Sequence, residues 1–69
     1  MKNIIEISVE VHWRTEAAIR VSDDGNEDNA QWVPISQIEN WDEFSENLKK
    51  GNVITIEIPE WLAHEKEFI

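Results

Sequence analysis

Apolar and polar residues alternate from Ile4 onward. Ile5, Ile7, Val9, Val11 and Trp13 fall on one side, and Glu6, Ser8, Glu10 and His12 on the other. A period of two is that of a strand with one buried face. Arg14, Thr15 and Glu16 interrupt the pattern, and Ala17, Ile19 and Val21 resume it. The two runs predict an antiparallel pair, although no Gly or Asn-Gly marks the turn between them. The polar stretch SDDGNEDN, residues 22–29, predicts a loop. AQWV then predicts a short strand that ends at Pro34, since proline cannot donate to a ladder. ISQIEN predicts an irregular crossing segment with Ile35 and Ile38 turned inward.

The period then changes. Trp41, Phe44 and Leu48 recur at i, i+3 and i+7, the spacing of one helical face. Asn40 suits the N-cap, with Glu43 at the reciprocal capping position. Acidic residues occupy the first turn and Lys49 and Lys50 the last, as the helix dipole prefers, and Gly51 offers a stop. In NVITIEI, alternation returns with Ile54, Ile56 and Ile58 on one side. Pro59 ends that strand and suits the start of a short helix, EWLAHEKEF, with Trp61, Leu62, Glu65 and Phe68 on its apolar side. The predicted order is β-β-β-α-β-α. It describes an α+β fold: an antiparallel sheet of about four strands, one packed helix and a short C-terminal helix.

Residues 1–69 make a single domain, and a chain of 69 residues buries only about 60% of its unfolded surface. With no Cys, neither a disulfide nor a thiolate metal site can staple it, which leaves apolar packing and self-association. No apolar run approaches the ~20 residues of a membrane span, and the N-terminus lacks a signal pattern. The expected location is the cytoplasm.

Charge narrows the partners. The formal net charge is −9, and the six basic residues are scattered along the sequence. Direct nucleic-acid binding draws its affinity from Lys and Arg, so it is not expected. A basic protein surface is, including the nucleic-acid groove of another protein. Asp23, Asp24, Glu27 and Asp28 form one acidic cluster, and Glu39, Asp42, Glu43 and Glu46 a second. Glu6 and Glu10 line a strand face that Glu57 can join. Carboxylates on one side of a small rigid body can imitate the field of duplex DNA, although an acidic surface also serves solubility alone.

Catalytic and metal chemistry find little support. Read as a calcium loop from Asp24, the acidic stretch places Asn29 where Gly is needed and Ile35 where a bidentate Glu is needed. His12 and His64 are far apart, and no His-x-x-x-His spacing occurs. Ser8, Ser22, Ser36 and Ser45 have no base nearby in sequence. Two Gly cannot build a glycine-rich phosphate loop. Neither enzymatic activity nor a cofactor is expected. Four Trp are a large aromatic load for this length. Core packing is expected for at least two of them; Trp41 and Trp61, each opening a predicted helix, are the candidates for an exposed protein-binding rim.

Three segments carry a resemblance. Thr15, Glu16, Ala18, Ile19 and Val21 match "T-E-x-A-[IL]-x-V". Trp32, Val33, Pro34, Ser36, Gln37 and Ile38 match "W-[IV]-P-x-S-Q-I". Ile58, Pro59, Glu60, Trp61, Leu62, Ala63, Glu65 and Lys66 match "[IV]-P-E-W-L-A-x-E-K". In this order they resemble a group of small bacteriophage and prophage accessory proteins, over nearly the whole chain. Ile35 stands where that group often has Lys, and Glu67 where it often has Gly. The resemblance implies a viral or mobile-element origin, a place in the host cytoplasm and an accessory role, and it supplies no catalytic residues. Two functions follow. One is a non-enzymatic inhibitor of a basic, nucleic-acid-handling host protein, of anti-CRISPR or nuclease-inhibitor type. The other is an oligomeric module of phage replication or recombination that acts through an apolar, Trp-bearing surface.

Overall fold

The computed structural model describes residues 3–44 and 48–69. Four antiparallel strands form one sheet: β1 (Ile4–Arg14), β2 (Ala18–Ser22), β3 (Gln31–Pro34) and β4 (Val53–Pro59), in the order β3-β2-β1-β4. A single α-helix among the described residues, α1 (Glu60–Glu65), follows β4 directly. The fold is α+β, as the alternation predicts.

The inner face is aliphatic. Ile7, Val9 and Val11 of β1 meet Ile19 and Val21 of β2, Val33 of β3, and Ile56 and Ile58 of β4, all buried. Leu62 and Ala63 of α1 and Phe68 beyond it cover one part of this layer. The segment after β3 covers another: it crosses with a 3-10 turn at Ile35–Gln37, buries Ile38 and half-buries Ile35.

Thr15 explains how the first hairpin turns without glycine. Its hydroxyl oxygen accepts from the backbone N–H of Ala18 at 3.1 Å, while its own N–H donates to the Ala18 carbonyl at 2.8 Å. A threonine side chain can thus stand in for backbone in a turn. Glu67, at φ 62°, is the one positive-φ residue besides glycine among the described residues. It closes α1: its N–H reaches the His64 carbonyl, and the N–H of Phe68 reaches that of Ala63 at 2.8 Å. This is a helix ending in which glycine is usual, because its left-handed residue carries no Cβ penalty.

Two expectations need correction. Trp13 was expected on the inner face, yet it is 59% exposed. The pairing shifts between Val11 and Trp13: Val11 faces Val21, and Trp13 faces Arg20, the very next residue of β2. His12 is the extra residue of a β-bulge, which inverts the alternation beyond it. The expected helix from Asn40 to Lys50 is the second. The structure has only a 3-10 turn at Trp41–Glu43, and Phe44 already leaves helical geometry at φ −139°; residues 45–47 lie outside the described residues. Asn40 makes no capping bond to the backbone. Its amide is engaged along the edge of β4, accepting from the N–H of Glu57 at 2.9 Å and donating to the Thr55 carbonyl at 2.9 Å. The Glu39 N–H also donates to the Glu57 carbonyl, at 2.8 Å. An edge strand exposes a row of unpaired polar groups, and here a side-chain amide fills part of it. Trp41, Phe44 and Leu48 still pack against the core, as their spacing suggests.

Candidate functional site

The acidic loop is ordered by its own side chains. One Asp24 oxygen accepts from the Asn26 N–H at 2.9 Å, and the other from the Asn29 side-chain amide at 2.9 Å. The Asn26 side chain in turn accepts from the Asp28 N–H, capping the 3-10 turn at Glu27–Asn29. Gly25 sits at φ 77°, where a side chain would be strained. The backbone N–H of Asn26, and then the Asn29 amide, hold the Asp24 carboxyl below its ordinary 3.8. Asp23, Asp24, Glu27 and Asp28 are all exposed. Glu27 contacts Arg20 at 3.4 Å, a surface pair worth about 0–1 kcal/mol.

An open depression of about 380 Å³ brings Asp23, Asp24 and Asp28 together with Lys66 and Glu67. The sequence shows no link between residues 23–28 and the C-terminal end; α1 delivers that end by packing under the sheet. Among the described residues, no group of three metal-ligating side chains converges.

The second acidic cluster lies elsewhere. Glu39 is anchored at the outer edge of β4, opposite the β3 edge of the sheet. Asp42 and Glu43 are exposed on the 3-10 turn that follows, and the Glu43 carboxylate accepts from the Asn40 amide at 2.8 Å. Glu46 lies outside the described residues. The two clusters therefore do not merge into one patch.

The basic residues are less scattered in space than in sequence. Arg14, Lys49 and Lys50 border a hollow of about 200 Å³ floored by Val11, Trp13 and Leu48. The Arg14 guanidinium also stands 5.2 Å from the Trp41 ring centre.

The four indoles sort differently from expectation. Trp61 is exposed at 59%, as expected of a rim residue, but this corrects its place on the apolar side of the last helix: Leu62, Ala63 and Phe68 are the buried residues there, and Glu65 is exposed too. Trp41 is half-buried, edge-on to Phe44 at 5.4 Å and beneath Arg14, so it is committed to the fold. Trp13 and Trp32 are both exposed, and none of the four is fully buried. Trp13 pairs with Arg20, and Arg20 with Trp32, so these three residues form one row across the outer face. Only knowledge of the bulge would have found this row.

The bulge also buries His12, whose Nε2 lies 2.7 Å from the Ser22 hydroxyl; a Glu10 carboxylate oxygen is 3.6 Å from Nδ1. Serine, imidazole and carboxylate stand in the order used by serine hydrolases. Ser22 has no exposed surface, however, so no substrate carbonyl can reach its oxygen in this state. The bond satisfies two buried polar side chains, and among the described residues no buried side-chain polar atom lacks a partner.

No helix among the described residues is long and apolar enough to cross a membrane. No protein-family model, curated protein or solved structure matches this chain.

Proposed function

We propose that this chain is a non-enzymatic binding protein of phage or prophage type that occupies a basic, nucleic-acid-handling surface of a host protein and so inhibits it. The observation that carries this reading is the acidic loop. Its carboxylates are exposed, while its backbone is held by Asp24, Asn26 and Asn29. A preordered charged surface loses little entropy on binding, and complementary charge accelerates encounter. The burial of Ser22, whose hydroxyl meets His12, keeps that serine from substrate and supports a non-enzymatic reading. The sequence resemblance to phage accessory proteins supports the setting.

The test is capture of host proteins at low and high salt, followed by reconstitution with the purified partner. Binding that falls steeply with salt, and that blocks nucleic-acid binding by the partner, is the expected result. Unchanged affinity after joint replacement of Asp23, Asp24 and Asp28 by Asn would remove the loop from the contact. The exposed indole of Trp61 favours a second reading, an oligomeric accessory module. That module would appear as a stable oligomer in solution, with binding that tolerates salt and is lost in Trp61→Ala.

A further inference from the structure

The outer face of the sheet has features that contact through the acidic loop leaves unused. Glu6 of β1 and Glu57 of β4 are directly opposed. Facing side chains on a sheet have Cβ atoms about 5 Å apart, and like charges there repel. Glu10 lies one pleat repeat beyond Ser8 on the same face of β1. At the far end of this face stand Trp13 and Trp32, 59% and 42% exposed, on either side of Arg20. The charge of Arg20 is already engaged by Glu27 at 3.4 Å. Six residues of β1 stand between Glu6 and Trp13, a span of roughly 20 Å in extended chain.

The geometry points to the outer face as the docking surface for an extended basic segment of the partner, with its cations on Glu6 and Glu57 and an apolar side chain laid against the exposed indoles of Trp13 and Trp32. The inference rests on the basic-partner reading above and specifies its contact face. Charge complementarity selects the occupant. The net charge of −9 favours a basic chain, and a Lys or Arg between the opposed glutamates would relieve their repulsion. The polarity of the segment is also set. Trp13 borders the hollow that carries Lys49 and Lys50, so that end disfavours cations and receives the apolar group. Trp is among the residue types enriched at binding hot spots. Opposed like charges and exposed indoles break rules of stable sheets, and such breaks concentrate at functional sites.

The probe is a synthetic peptide with an arginine pair at one end and a leucine pair about 20 Å along the extended chain. The control peptide carries serines for the leucines. Binding is followed by NMR at low ionic strength. The expected shifts fall on Glu6, Glu57 and the indole N–H groups of Trp13 and Trp32. Trp13→Ser or Trp32→Ser should weaken the leucine peptide about tenfold, a typical hot-spot loss, and leave the control unchanged. Glu6→Gln should weaken both peptides several-fold. Both indoles are exposed and Glu6→Gln is isosteric, so folding should be retained, which amide spectra check. Shifts confined to residues 23–28 would overturn this face while sparing the basic-partner reading. No salt-sensitive binding of either peptide would overturn both. A dimer that Trp13→Ser dissolves would show a second copy on the face and overturn it as well.

Discussion

The buried centre of the sheet's inner face is an aliphatic layer, whereas the outer face mixes opposed glutamates, a buried histidine–serine pair and two exposed indoles. Both are made by the same strands, residue by residue in alternation. The buried part of the inner layer follows the rules of packing: branched aliphatic side chains with cover from α1 and the crossing segment. The outer layer departs from them at several points. A chain this small has little stability to spare. Carrying unfavourable contacts on one face is therefore informative, and it directs attention to that face as the working surface.

Measurements on variants can break or sharpen this contrast. The largest effect is expected at the inner face. Ile56→Ala removes a fully buried side chain and should cost about 2–5 kcal/mol in urea unfolding. A cost near zero would mean that the aliphatic layer is not the core.

Next is the buried polar pair beneath the bulge. His12→Ala strands the Ser22 hydroxyl and should cost about 1–3 kcal/mol. A double-mutant cycle with Ser22→Ala isolates the coupling between the two. Asn40→Ala frees the N–H of Glu57 and the carbonyl of Thr55 at the β4 edge. A loss of about 1 kcal/mol is expected, with faster hydrogen exchange at the Glu57 amide.

Smaller effects lie among the exposed charges, and the first has the opposite sign. Glu6→Gln relieves the repulsion with Glu57 and should raise stability by roughly 0.2–1 kcal/mol. Stabilisation together with weaker peptide binding would separate the cost of the outer face from its use. The smallest is the acid limb of Asp24. Its folded pKa is depressed, so its contribution is complete above 3.8 and is lost as pH falls through the lower folded value. Asp24→Asn should flatten stability against pH in that acid range, as read by thermal melts.

The strands and the core were legible because burial on one face imposes a period of two. Ile7, Val9, Ile19, Val21, Ile56 and Ile58 all sit where alternation places them. The acidic loop was legible too, since its Asp, Gly and Asn residues favour turns. The outer row of Trp13, Arg20 and Trp32 was not. One unpaired residue reverses every side chain beyond it, and local pattern carries no sign of that shift. The helix expected from Asn40 fails for a related reason. Asn40 fits an N-cap by type, but the edge of β4 offers its amide both a donor and an acceptor.

Sequence pattern alone therefore decides which residues are apolar enough to share a core and which segments must stay in water. Those are properties of side chains and of short-range spacing. Tertiary structure decides which polar groups meet: Asn40 with β4, His12 with Ser22, Glu6 with Glu57, and Lys66 and Glu67 with the acidic loop. These partners lie far apart along the chain, and strand register and the path of α1 bring them together. The surface available to a partner is set by those long-range choices, because register fixes the direction in which each side chain points.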